Sequence, residues 1–327
     1  MNILIQPNSE HIQTAKSASV KPLMQSDDFD VQQWQRYIEQ EIGFVLPDIQ
    51  LQWLINAIDH TALSYGMTAQ KLWYQLPNND EIRQKLLDKV LIHESRFFRH
   101  MPSIDFATQC ALQHQQPTAI ADADSSNDRI NENGANELFR IWSVGCARGQ
   151  ETWSLAMSLA SEQLTNYRIL GTDVSQQAIL KARLGQYEKR QQSLIPQHCQ
   201  QFIQPLQNAN AINESNILDS SSVKKTRAST QMHWQIAPIL QQYVRFALHN
   251  IFEQEPPTTH LQHVIICQNM LLYFRKFDQR DVLARLSEQC ALGGYIILAP
   301  GEALFWRPSN MRRIAHPQVN VWQKINA

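Results

Sequence analysis

The chain has no excess of charge of either sign: 29 lysines and arginines stand against 30 aspartates and glutamates in 327 residues. So even a balance excludes the bulk signature of a nucleic-acid or polyanion binder, and any electrostatic function must be local. Cysteine is sparse. Cys110, Cys146, Cys199, Cys267 and Cys290 are odd in number, scattered and without a C-x-x-C pair, which argues against a disulfide framework and against a thiolate zinc site. They fit small buried residues in a reducing compartment. The histidines show no H-E-x-x-H or comparable spacing, so no metal is expected. No apolar run reaches the roughly 18 residues of a membrane span. The opening MNILIQPNSEHIQTAK lacks a basic segment followed by an apolar one. The expectation is a cytoplasmic, soluble monomer, with no direct membrane insertion and no nucleic-acid partner.

What is present divides by period. Residues 1–28 are polar, aperiodic and glutamine-rich, and read as a loose tail. Over 29–100 the pattern is helical: Trp34, Tyr37, Ile38 and Ile42, then Leu51, Leu54, Ile55 and Ile58, recur at spacings of three and four. Pro47, Gly66 and Asn78-Asn79-Asp80 punctuate this stretch into three or four short helices. Residues 101–137 are assigned to a linker, because ADADSSNDRINENGANE has almost nothing to bury. Then LFRIWSVG, YRILGTDVS, HVIICQNMLLYF and GGYIILAPG appear, apolar runs typical of strands buried on both faces. The helical stretches ETWSLAMSLASEQL, SQQAILKARLGQY and FDQRDVLARLSEQC lie between some of them. The alternation predicts an α/β fold, a doubly wound, mostly parallel sheet over 138–327 behind a small all-helical N-terminal domain. An inserted subdomain or loop at about 191–243, polar at about 209–230, interrupts it. The tail HPQVNVWQKI is expected to add a final edge strand.

The first apolar run ends in Gly145-Cys146-Ala147-Arg148-Gly149. A glycine turn there lets a ligand approach the backbone at the switch point of an open sheet, although a tight strand-to-helix turn would use the same glycines. The spacing is G-x-x-x-G, without the third glycine of the dinucleotide fingerprint, which favours phosphate-free adenosylmethionine over a nicotinamide dinucleotide. The second run ends in Asp173, placed either to accept both ribose hydroxyls of an adenosine or to cap the helix that follows.

With these come HESRFFRH at 93–100, HNIF at 249–252 and CQNMLLYF at 267–274. In this order and spacing the motifs resemble the CheR-type protein-glutamate O-methyltransferases, which methylate chemotaxis receptors. The likeness extends from Val31 to Glu302 and looks closest to PilK-like members associated with type IV pilus signalling and twitching motility. It implies a class I methyltransferase domain that uses S-adenosyl-L-methionine and releases S-adenosyl-L-homocysteine. It places His93, Ser95 and Arg99 at the cofactor's methionine end, Gly145 in the loop beneath it, Glu151 near the amino group and Asp173 on the ribose. Asn250 and Ile251 fall in the adenine region, Gln268 and Asn269 on the remaining wall, and Arg99 beside the reacting centre; Tyr273 either joins it as a second catalytic candidate or packs under the sheet. The family commonly has asparagine for His93, threonine for Ser95, a small residue for Arg148, glutamate for Gln150, tyrosine for Trp153 and arginine for Gln268. A scaffold or sensor that binds the cofactor without catalysis is the alternative these departures keep open.

The implied partner is the cytoplasmic signalling domain of a methyl-accepting receptor, met by the helical domain, where Lys71, Arg83, Lys85 and Lys89 either face an acidic surface or simply form a solvated helix face. Its nucleophile, a glutamate with an unperturbed pKa of about 4.3, is already ionised near neutrality, so no general base is required. Many relatives carry a three-stranded unit that docks a receptor's C-terminal peptide. Here the matching region lacks a glycine-rich turn and is expected to hold the polar insertion instead, leaving such docking weak or absent.

Overall fold

The computed structural model describes residues 30–115, 137–206 and 233–326. The expected tail, the polar connection up to residue 136 and the polar stretch at 209–230 lie outside them. Four α-helices come first: α1 (Val31–Ile42), α2 (Leu51–Ser64), α3 (Ala69–Gln75) and α4 (Asp80–Val90). Asp30, Thr68 and Asn79 start α1, α3 and α4 by accepting a hydrogen bond from a first-turn N–H. Trp34, Ile38 and Ile42 of α1, Leu54 and Ile58 of α2, and Ile82, Leu86 and Val90 of α4 converge on one core, joined by Phe44, Leu46 and Leu72.

Gly43 ends α1 in the left-handed region at φ 68°, donating its N–H to the carbonyl of Glu39. A Cβ at this position would lie 2.3 Å from the ring of Phe252, in the loop after a strand of the sheet. Gly43→Ala is therefore expected to cost about 2 kcal/mol or more, from φ strain and overpacking together. Chemical denaturation reads this directly, and an unchanged midpoint would contradict it.

Residues 101–115, expected in the linker, instead form helix α5 (Met101–Gln115). Polar residues on its inner face hide its period. Ser103 and Thr108 are buried, and the Thr108 hydroxyl donates to the Ile104 carbonyl at 3.0 Å and shares a 2.9 Å hydrogen bond with Ser158 of α6 (Gln150–Ser161).

Seven strands make the main sheet: β1 (Phe139–Val144), β2 (Tyr167–Asp173), β6 (Val244–Leu248), β7 (Gln262–Cys267), β8 (Cys290–Leu298), β9 (Met311–Ile314) and β10 (Asn320–Lys324). Their order is β6-β2-β1-β7-β8-β10-β9. The first five are parallel, and β10 runs antiparallel to both β8 and β9. This is the doubly wound, mostly parallel sheet with a helical N-terminal region read from the sequence. The C-terminal tail, expected at the edge, is strand β10, an inner strand whose outer side β9 covers.

Alternate residues of each strand feed opposite layers. Ile141, Ile169, Val264 and Ile297 pack with α5, α6 and α7 (Gln176–Leu184), whereas Trp142, Ile265, Ile296 and Trp322 pack with the helix Lys276–Gln289.

A second, antiparallel sheet has the order β3-β5-β4, from β3 (Gln186–Glu188), β4 (Ile203–Pro205) and β5 (His233–Ile236). The polar insertion thus falls between β4 and β5 and does not replace a three-stranded unit, which corrects the expectation for this region. Tyr187 and Trp234 fix the small sheet onto Phe97, with ring centroids 4.8 and 5.2 Å from it. Among the described residues no helix is long and apolar enough to cross a membrane.

Candidate cofactor site

The carboxyl ends of β1, β2, β6 and β7 open onto one cavity, which the helical unit closes from the opposite side with Ile42, Phe44, Leu91 and Ile92. It holds about 1240 Å³ of free space, counting the open solvent at its mouth. Every residue picked from the sequence lies on its wall: His93, Ser95 and Arg99; Gly145 and Glu151; Asp173; Asn250 and Ile251; Gln268, Asn269 and Tyr273. The crevice sits at β1, where the strand order reverses: β2 and β6 follow on one side, and the chain then crosses back to add β7 on the other, the position at which doubly wound sheets bind ligands.

The glycine loop is built for close approach. Gly145 has φ 66°, and a Cβ on it would meet the sulfur of Met270 at 2.9 Å. Asp173 ties this loop to the next turn: one carboxylate oxygen accepts from Ala147 N–H at 2.8 Å and the other from Ser175 N–H at 2.9 Å. The helix cap is Ser175, whose Oγ accepts from Ala178 N–H, so Asp173 is free of that task and borders the cavity. Burial pushes its carboxyl up, against the pull of the backbone donors.

Glu151 stands in the first turn of α6 and receives the Ser143 hydroxyl at 2.8 Å. It is partly accessible from the cavity, yet deep enough that burial raises its pKa to about 7, with Arg99 lowering it and Glu302 adding to the rise. Among the described residues no cation lies within ion-pairing distance of it. His93 is driven down to about 4, by burial first and by the Arg148 charge second, and is neutral near pH 7.

Other members of the wall are committed to the protein. Asn250 donates to the Glu41 carbonyl at 2.8 Å and accepts from Phe252 N–H at 3.1 Å, which leaves the backbone and buried Ile251 to face a ligand. Gln268 donates to Ser103 Oγ at 2.9 Å and to the Leu298 carbonyl at 3.3 Å, so its amide acts as a strut. Asn269 holds a left-handed φ of 58°. Tyr273 stacks obliquely on Phe44 at 4.9 Å, and its carbonyl accepts from Val45 N–H at 2.9 Å. Arg99 is exposed and donates to the Glu94 carbonyl at 3.1 Å.

Of the four basic residues considered for a partner, Arg83 is taken by Glu41, at 3.3 Å, and by Asp80; Lys71 is exposed, and Lys85 and Lys89 are half-buried. Sequence reasoning missed Ser143, Phe44 and Ile42. The first could have been found as the inward polar residue on β1; the other two carry no local signal.

S-adenosylmethionine carries a ribose diol, an ammonium and a sulfonium. An acid ending β2, together with an enclosed carboxylate that no cation pairs among the described residues, fits those groups. A doubly wound sheet with this loop, this acid and no phosphate-seating glycine defines a nucleoside-cofactor transferase and not a dinucleotide oxidoreductase.

The chain belongs to the CheR methyltransferase family: the model of the CheR methyltransferase SAM-binding domain matches residues 93–225 and 211–319. S-adenosylmethionine is its cofactor. It is 22% identical over 306 residues to chemotaxis protein methyltransferase 1 of Pseudomonas aeruginosa, covering 89% of this chain and 96% of that one. It is similar also to a chemotaxis protein methyltransferase of Borreliella burgdorferi, 22% identical over 67% of this chain and 68% of the relative. A third relative, the probable biofilm formation methyltransferase WspC of Pseudomonas aeruginosa, is 23% identical over 78% of this chain and 52% of its own length.

Proposed function

We propose that this protein transfers a methyl group to glutamate side chains on the cytoplasmic signalling domain of a methyl-accepting receptor, in chemotaxis or in type IV pilus signalling, and itself works in the cytoplasm. The observation that carries the reading is the joint construction of the cavity. The cofactor-binding ends of the strands face a wall supplied by the helical unit, and exposed Arg96 and Arg99 border the opening. The relatives named for chemotaxis support it, as does the WspC likeness, since that protein is named for biofilm formation.

The bound cofactor supplies an electrophilic methyl on a cationic sulfur. The protein's own groups bind and orient. Asp173 and Glu151 hold the nucleoside and methionine ends. Arg99 draws an anionic nucleophile to the cavity, while Tyr273 and Phe44 exclude water beside it. No side chain needs to take a proton, because the carboxylate nucleophile arrives ionised. Each transfer removes one negative charge from the receptor, a local change able to bias a two-state helical bundle.

Incubation with methyl-labelled cofactor and purified receptor signalling domains is expected to place label on glutamate as an ester, released as methanol by mild base. Label that is stable to base, or none on any receptor despite cofactor binding, would overturn the assignment.

A further inference from the structure

The helical unit does more than close the cavity: it holds the turn that carries Asp173. Asp88, in the last turns of α4, presents Oδ1 to the Ser175 hydroxyl at 2.5 Å and to Gln177 N–H at 3.3 Å. One turn earlier on the same helix, Gln84 accepts from Gln176 N–H at 3.2 Å. The exposed N–H groups that open α7, which its own carbonyls cannot satisfy, are thus met from the other unit of the molecule. Ser175 relays this contact inward. Its Oγ accepts from Ala178 N–H at 3.0 Å, and its own N–H donates to Asp173 at 2.9 Å. The second oxygen of Asp173 accepts from Ala147 N–H in the glycine loop.

An unbroken path of hydrogen bonds therefore runs from α4 through Ser175 and Asp173 to the loop after β1. Asp88 is absent from the cavity wall, so it cannot touch a ligand there, and whatever it does to the ligand passes through Ser175. Burial raises the Asp88 carboxyl, and the nearby charge of Asp173 adds to the rise. An acid suits a helix N-terminus, but capping alone does not explain why the acceptor comes from α4 and meets Ser175, the residue that holds Asp173.

We propose that Asp88 is a positioning residue for the cofactor: it locks the β2–α7 turn, and with it Asp173, to the helical unit, so that cofactor affinity depends on how that unit is seated. The inference rests on the methyltransferase reading and deepens it, because a partner that engages the helical unit then acts on the cofactor acid, and the cofactor on the partner, by the same factor.

Calorimetry of S-adenosylhomocysteine binding to the full chain tests it. Asp88→Ala is expected to weaken binding by about tenfold, the scale of one charge-assisted hydrogen bond. KM for the methyl donor should rise with it, while kcat at saturating cofactor is kept. Asp88→Asn, which retains an oxygen acceptor for Ser175 and Gln177, should recover affinity to within about threefold, a rescue that loss of fold would not show. Ser175→Ala should match Asp88→Ala, and the double variant should be no worse than either single one.

Affinity within twofold of the parent for Asp88→Ala overturns the proposal, as do an Asp88→Asn variant as weak as the alanine and additive losses in the double variant. Where Asp88→Ala does not fold, Ser175→Ala decides from the other end of the path, with unchanged affinity overturning. A parent that binds no S-adenosylhomocysteine overturns the cofactor reading and this inference together, whereas a parent that binds and variants that do not differ overturn this inference alone.

Discussion

Replacing Asp173 by alanine is expected to weaken S-adenosylhomocysteine binding by about a hundredfold or more, the sum of two losses. The carboxylate now satisfies Ala147 N–H and Ser175 N–H, at 2.8 and 2.9 Å, and so ties the glycine loop to the turn after β2. Removing it leaves two enclosed donors without acceptors, at about 1–3 kcal/mol each where water cannot reach them. The remaining acceptor capacity, directed to the cavity, is what a ribose diol would use, and charge-assisted bonds of that kind add about 1.5–3 kcal/mol. Since about 1.4 kcal/mol is a factor of ten, even the low end of the ligand term with modest loop disorder reaches a hundredfold. Asp173→Asn should fall between parent and alanine. Its one oxygen can meet one of the two N–H groups, while its amide opposes the other, donor against donor. Calorimetry of the three proteins reads the order, and an alanine variant within threefold of the parent would remove Asp173 from the binding site.

How far the site could be read from the sequence follows from where its parts lie. Strands β1, β2, β7 and β8 were legible because both of their faces are covered, so LFRIWSVG or HVIICQ is apolar at nearly every position. The loop after β1 and the acid ending β2 were legible for a related reason: an open α/β sheet puts its ligand at fixed points of the topology, so a glycine and an acid at strand ends have positional meaning. Strand β6 was not read. It lies at the edge of the sheet with Arg245 and Leu248 exposed, and its five residues VRFAL give neither a continuous apolar run nor a clean alternation.

Helix α5 was lost to the linker for a different reason. It meets α6 through small and polar residues, Ala107 and Ala111 beside hydrogen-bonded Ser103 and Thr108, and such a seam has almost no hydrophobic period. The contribution of the helical unit to the cavity was beyond any local pattern. Asn250 reaches back to Glu41, and Val45 bonds to Tyr273, across more than two hundred residues of chain. What joins them is tertiary hydrogen bonding, and no residue spacing records it. The three-stranded unit is hidden in the composition, because the polar stretch between β4 and β5 outweighs three short strands whose anchors, Tyr187 and Trp234, flank that stretch.

Binding of S-adenosylhomocysteine should strengthen as pH rises toward about 7 and then level off, with Glu151 as the titrating group. Burial raises this carboxyl from 4.5 to about 7, so the protein without cofactor holds it largely protonated in mildly acid solution. The ligand's ammonium group needs the ionised form as its partner, and below pH 7 the affinity should therefore fall by up to about tenfold per pH unit, with one proton released on binding. The effect on folding has the opposite sign. The folded chain binds this proton more tightly than the unfolded one, so the contribution of Glu151 to stability is fully present below about 4.5 and is lost as pH rises through about 7. The loss amounts to at most about 3 kcal/mol, reduced by whatever water the cavity admits. Glu151→Gln separates the two effects, because an amide keeps the acceptor for the Ser143 hydroxyl but neither titrates nor pairs with a cation. The variant should gain stability relative to the parent between pH 4.5 and 7, hold that gain above, and bind the ligand weakly and with no pH slope. Denaturant unfolding and calorimetry across pH 5 to 8 measure both, and a flat affinity profile in the parent, or an unchanged slope in Glu151→Gln, would show that another group sets the charge of the site.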